Sequence, residues 1–164
     1  MAQLKQLVGK ITLLRGDNTT LFTLLMSAAA KLQKFSKVLF VDSANCFNPY
    51  LLKKLSPRDI LPILRNILIA RPFNAYQLKE LVLKLESAIQ KTKSRILIIS
   101  SIDAFHDEVN SEESPYLFSL VLNEIQSLTR KYRLVTLIGS TKSDDAPQEV
   151  TSLVSKKIDQ AYIV

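Results

Sequence analysis

The sequence predicts an α/β protein built on a mainly parallel sheet flanked by helices. Short β-type apolar runs alternate along the chain with longer runs of helical period, the pattern of strands joined by crossover helices. Val38-Leu39-Phe40-Val41, Ile96-Leu97-Ile98-Ile99 and Leu134-Val135-Thr136-Leu137-Ile138 are almost unbroken apolar runs, as strands covered on both faces are. The length of 164 residues, with 47% hydrophobic and 23% charged side chains, suits one domain with a sizeable core, expected to span residues 1–164.

Taken in order, the strands are expected at residues 10–15, 37–42, 66–71, 95–100, 134–140 and 160–164. Between the first two, residues 19–33 read as a helix, because Leu21, Leu24, Leu25, Ala28, Ala29 and Leu32 recur at three- and four-residue steps. Residues 48–65 carry Pro49, Pro57 and Pro62 and should form broken, short helices. Residues 75–91 give the clearest helix, with Asn74 as its N-cap and a stripe of Leu78, Leu81, Val82, Leu85 and Ile89. A further helix is expected at 115–131, with Ser114 as cap and Pro115 in the first turn, and a shorter one at 148–156. Residues 103–113 are acidic and read as an irregular, mobile stretch in which Asp103 and His106 are solvated.

The composition excludes several functions. No apolar run approaches the roughly 18 residues of a membrane span, and the first residues lack the pattern of a signal peptide. No membrane role is therefore expected, and the location is expected to be cytoplasmic, or nuclear in a eukaryote. One Cys and one His cannot build a structural zinc site, so no metal is expected; Cys46 reads as a small packed residue. The 22 Lys and Arg against 15 Asp and Glu leave a net charge of +7, which suits nucleic acid or an acidic partner.

The first strand runs through Gly16-Asp17-Asn18-Thr19-Thr20 into a long apolar helix, the setting of a nucleotide-binding P-loop. The loop is about three residues too short for that pattern, has no Lys, and puts Asp17 where phosphate would lie. Several segments in the same order resemble the core of the RecA/RadA recombinase family, in its archaeal and eukaryotic branch. Residues 9–16 resemble the P-loop strand, 37–49 the strand and turn that follow it, and Asn66-Ile67-Leu68-Ile69-Ala70-Arg71-Pro72-Phe73-Asn74 a third conserved stretch of that family. Ile96-Leu97-Ile98-Ile99-Ser100-Ser101-Ile102 resembles its Walker B strand, and Val135-Thr136-Leu137-Ile138-Gly139-Ser140 the strand leading to its second DNA loop.

The resemblance implies a RecA-like three-layer core with degenerate Walker motifs. Ala44 stands where the family keeps the Glu that activates water, and Ser100 where the Walker B Asp would help hold magnesium. Phosphoryl transfer rests on positioning and electrostatics, so losing those roles and the P-loop Lys implies a protein that is no enzyme and takes no cofactor. Residues matching the family's DNA loops, 103–114 and 141–148, are net acidic and are not expected to contact phosphate. Cations gather instead at helix ends that lead into strands: Lys31, Lys34 and Lys37; Lys91, Lys93 and Arg95; Arg130, Lys131 and Arg133. Of these, Lys34, Lys37, Lys91, Lys93, Arg130, Lys131 and Arg133 are the expected sequence-independent DNA surface; helix-dipole complementation accounts for fewer of them.

Family members join when a Phe-x-x-Ala hook enters an apolar pocket on the neighbouring subunit. The matching pocket positions here are Leu39, Val41, Ala70, Pro72, Leu81 and Leu85, all small or apolar, while no Phe has Ala three residues on. The expected partners are thus DNA and a RadA-like recombinase or another RecA-like paralogue, in a homo- or hetero-oligomer. The expected role is that of an accessory or mediator in DNA recombination and repair. The alternative is an ATPase-dead structural subunit of a RecA-like ring, in the manner of the Elongator complex. An enzyme with an unconventional nucleotide site is a further rival. Arg71, at a strand end, is expected to cap the sheet rather than meet a ligand.

Overall fold

The computed structural model describes residues 2–56, 60–109, 113–141 and 148–164. In order the elements are α1 (Ala2–Leu7), β1 (Lys10–Gly16), α2 (Asn18–Leu32), β2 (Val38–Val41), α3 (Pro49–Leu55), α4 (Leu61–Arg65), β3 (Ile67–Ala70), α5 (Ala75–Thr92), β4 (Ile96–Ile99), α6 (Ser114–Lys131), β5 (Val135–Thr141), α7 (Gln148–Lys157) and β6 (Gln160–Ile163). The strands form one six-stranded sheet in the order β3-β2-β4-β5-β1-β6, and every pair is parallel. Registers such as Ile11↔Thr136 and Val38↔Ile96 align the strand starts, so all helix-to-strand turns fall at one end of the sheet. This is an α/β protein with a helix-flanked parallel sheet, consistent with a RecA-like three-layer core.

Two apolar layers hold the sheet. On one face Leu13, Leu39, Val41, Leu97, Ile99 and Ile138 pack with Val82 and Leu85 of α5, Phe118 and Leu122 of α6, and Val154 of α7. On the other face Val38, Phe40, Ile96 and Ile98 pack with Leu21, Leu25 and Met26 of α2, Leu52 of α3 and Ile63 of α4. β2 and β4 are buried along their whole length, which is why they read as unbroken apolar runs. Phe40 and Phe118 are among the largest side chains fully withdrawn from water, and truncating either to Ala would cost about 3–5 kcal/mol.

Caps set the helix starts. Asn74 Oδ1 accepts the Gln77 amide at 2.8 Å, as expected, and Asn48 Oδ1 accepts the Tyr50 and Leu51 amides at 2.9 and 3.3 Å. Each such cap is worth about 1 kcal/mol. Ser114 is not a cap. It lies inside the first turn of α6, its hydroxyl is buried with no hydrogen-bond partner, and Glu113 holds the preceding position without a side-chain cap bond. Within the 103–113 stretch, residues 103–109 are more ordered than their acidity suggests: His106–Glu108 form a 3-10 turn, and Phe105 and Val109 are buried in the core. Its residues 110–112 lie outside the described residues, as do 142–147, most of the second loop considered above. No helix among the described residues is long and apolar enough to cross a membrane.

Candidate functional site

Parallel α/β sheets bind ligands in the crevice beyond the carboxyl ends of their strands, where the chain's direction of crossover reverses. Here β1 leads through α2 to β2 on one side, while β5 leads through α7 to β6 on the other. Beyond β1, β4 and β5 several polar groups of the described residues are engaged with the chain itself. Asp17 is the N-cap of α2, and its Oδ1 accepts the Thr20 amide at 3.0 Å. That hydrogen bond holds the Asp17 carboxyl below its usual value. The first amides of such a helix are where a phosphate would be gripped; the protein's own carboxylate is there instead. Gly16, just before it, is crowded by Val164: the Val164 amide donates to the Arg15 carbonyl at 2.8 Å, and a Cβ on Gly16 would collide with the Val164 carbonyl.

The ends of β2 and β4 are tied by hydroxyls. Ser100 is fully buried, and its Oγ accepts the Ala44 amide at 2.9 Å. Ser43 Oγ donates to the Ser101 carbonyl and accepts the Ser101 amide at 3.1 Å. The two positions where the resemblance places the magnesium anchor and the water activator are thus joined to each other. Asp103 is not solvated. It is 5% exposed, its Oδ1 receives the Ser101 hydroxyl at 2.5 Å and the Thr141 amide at 3.4 Å, and its Oδ2 receives the Ser140 hydroxyl at 2.8 Å. A buried carboxylate is costly without donors, and these three supply them. His106 is likewise drawn in: its side chain is 10% exposed, Nδ1 lies 2.7 Å from the Asp103 carbonyl and Nε2 2.9 Å from Asp107 Oδ1.

Beside the crevice, the fully buried Asp42 carboxylate organises the end of β2. Its Oδ2 accepts Arg71 Nε and Nη2 at 3.0 and 2.7 Å, and its oxygens accept the Cys46 and Phe47 amides at 2.8 and 3.2 Å. Arg71 therefore ties the ends of β2 and β3 together. Cys46 is half-buried, and burial, with Asp42 nearby, pushes its thiol up to about 12, a packed residue rather than a nucleophile. Among the described residues no three His, Cys, Asp or Glu side chains are grouped to hold a metal ion.

At the opposite end of the sheet, α2, α5 and α6 finish next to the starts of β2, β4 and β5, which are neighbours. This brings Lys34, Lys37, Lys91, Lys93, Arg130, Lys131 and Arg133 to one edge, all exposed. Two of them are engaged: Lys131 Nζ lies 2.7 Å from Glu86 Oε1 and Arg130 Nη2 3.6 Å from Asp159 Oδ1. Among the described residues the other five form no ion pair. Arg95 and Phe35 join this edge around a cavity, and neither belonged to the expected DNA set. Arg95 stands in the sequence among the clustered cations; an exposed Phe just after a helix carries no local signal.

The six expected pocket residues mostly meet. Leu39, Val41, Ala70, Leu81 and Leu85 line one cavity of about 230 Å³ between β2, the edge strand β3 and α5, together with Leu68 and Ala88. Pro72 is buried beyond the end of β3 and is not part of the lining.

Compared with known proteins, the chain matches no family model and no curated sequence. The crowded end of the sheet gives a direct expectation. Millimolar ATP with magnesium should leave the melting temperature unchanged, whereas a ligand at about 100 times its Kd adds about 2.7 kcal/mol of stability. For a chain of this size that is a rise of roughly 5–10 °C, and observing it by differential scanning fluorimetry would overturn the expectation.

Proposed function

We propose that this protein is a non-catalytic RecA/RadA-like recombinase paralogue, an accessory or mediator in DNA recombination and repair that binds DNA, the active recombinase, or both. The observation that carries the reading is the division of the sheet's two ends. At the end where a nucleotide would sit, Asp17, Ser43, Ser100, Ser140 and Asp103 are hydrogen-bonded within the chain and Val164 lies against Gly16, while exposed cations collect at the other end. The apolar cavity beside β3 supports the partner half of the proposal. It is large enough for an aromatic side chain, and it lies at a sheet edge, where an incoming segment has access.

Aromatic anchors in such pockets are commonly worth about 2 kcal/mol or more on truncation. Filling the pocket with Ala70→Trp should therefore weaken binding to a RadA-type recombinase by roughly thirtyfold, measured by surface plasmon resonance. A folded Ala70→Trp protein that binds as well as the parent would contradict the pocket. A head-to-tail assembly propagates only when each subunit carries both halves of the interface. With a pocket and no Phe-x-x-Ala sequence, the isolated chain should form no filaments under electron microscopy. A purely structural ring subunit differs in having no affinity for DNA.

A further inference from the structure

Phe35 stands where α2 has just ended, and 59% of it is exposed although it is a large apolar ring. A single exposed aromatic is ordinary; its surroundings are not. Phe35 lines a cavity of about 380 Å³ with Val8, Ser36, Arg95, Ile96, Arg133 and Val135, so an apolar floor is bordered by two guanidinium-bearing residues. A second cavity of about 200 Å³ shares Arg95 and adds Lys93, Gln90 and Tyr132. Lys34 and Lys37 flank Phe35 in the chain.

The walls are held in place. The Ser36 hydroxyl accepts the Arg95 amide at 2.9 Å, joining the start of β4 to the turn that carries Phe35. Arg95 Nη1 donates to the Tyr132 carbonyl at 2.5 Å, at the end of α6. Lys93 and Arg133 both adopt left-handed backbone conformations, with φ of 55° and 52°. Glycine holds such a helix-ending turn with less strain; at both turns the chain carries a cation instead.

We propose that this cavity is a nucleobase site: one unstacked base of a DNA single strand lies on the Phe35 ring while Arg95, Arg133, Lys93, Lys34 and Lys37 meet the phosphates on either side. Charge complementarity selects a polyanion, and the apolar, aromatic floor selects one that also offers flat π-faces, which a duplex keeps stacked inside. This deepens the DNA-binding half of the proposed function and rests on it.

The test uses fluorescence anisotropy with three probes of equal length: an oligo-dT strand, the same backbone carrying abasic sites, and a duplex. The full chain should bind oligo-dT tighter than the abasic strand of equal charge. Phe35→Ala should weaken oligo-dT binding roughly tenfold, to the abasic level, with duplex binding unchanged; Phe35→Tyr, which keeps the ring, should retain the parent affinity. The side chain is exposed, and an unchanged melting temperature confirms that the variant is folded. If Phe35→Ala binds oligo-dT as the parent does, the base site is overturned while the basic DNA surface stands. If the parent binds none of the three probes at low salt, the surface and the base site both fall.

Discussion

Replacing Gly139 by alanine should cost about 3 kcal/mol of stability or more. In a chain of this size that lowers the melting temperature by roughly 10 °C. A Cβ at Gly139, in the middle of the buried strand β5, would be driven into the Ser100 carbonyl. That backbone has little room to yield: the Ser100 amide donates to the Val41 carbonyl at 2.9 Å, its hydroxyl holds the Ala44 amide, and the Ile102 amide donates to the Gly139 carbonyl at 2.9 Å. The same close approach lets Ser140, one residue on, reach Asp103. Gly16 makes the internal comparison. Its added Cβ would also meet backbone, the Val164 carbonyl, but at a slightly longer approach than at Gly139, so Gly16→Ala should cost somewhat less. Thermal denaturation followed by circular dichroism checks both, and an unchanged Gly139→Ala midpoint would contradict the tight junction of β4 and β5.

Changing Lys34, Lys37, Lys91, Lys93 and Arg133 together to alanine should weaken DNA binding by roughly a hundredfold near physiological salt. For every phosphate that is no longer neutralised, the slope of log affinity against log salt should also flatten, by about 0.9 on duplex and about 0.7 on single-stranded DNA. Arg130 and Lys131 are expected to contribute less, since Asp159 and Glu86 already hold them. The hydrogen bond between Glu86 and Lys131 lowers the pKa of the first and raises that of the second, the mark of an engaged pair. Anisotropy titrations across a salt series measure both effects. Undiminished affinity in the five-residue variant would show that DNA does not meet this edge.

All six strands lie within one residue of the bounds expected from the sequence: β2 and β4 are buried at every position and must be apolar throughout, while the edge strands β3 and β6 stood out only as short β-type runs between helical ones. The long helices were legible for the same kind of reason, their apolar stripes recurring at the helical period. α1 was not: six residues are too short for a period to declare itself, and no cap marks its start. Ser114 misled because a Ser before Pro reads as a cap, whereas here the helix begins at Ser114 itself. Asp103 and His106 misled more deeply. Their neighbours Asp107, Glu108, Glu112 and Glu113 read as a solvated loop, while the groups that satisfy Asp103 include Ser140 and Thr141, in another strand.

The sites divide along the same line. The basic edge was legible because charges at helix ends can be counted, and a parallel sheet sends every helix end to one side. The cavity beside β3 was legible only through the resemblance, which named five residues that do line it. The cavity around Phe35 was not legible at all. It depends on Val8, Arg95 and Arg133 arriving from three distant turns, and on a ring whose exposure no local pattern reveals.

If DNA meets the edge where the helices end, and the protein's own groups close the edge where the strands end, the two edges must respond differently to ligands. Amide NMR of isotope-labelled protein titrated with oligo-dT, and separately with ATP and magnesium, tests both halves at once. Oligo-dT should shift the amides of residues 34–37, 93–95 and 132–134 and leave 16–20, 43–45 and 100–103 in place, and nucleotide should shift none of them. Shifts concentrated at 16–20, 43–45 and 100–103 with either ligand would contradict this division of the sheet.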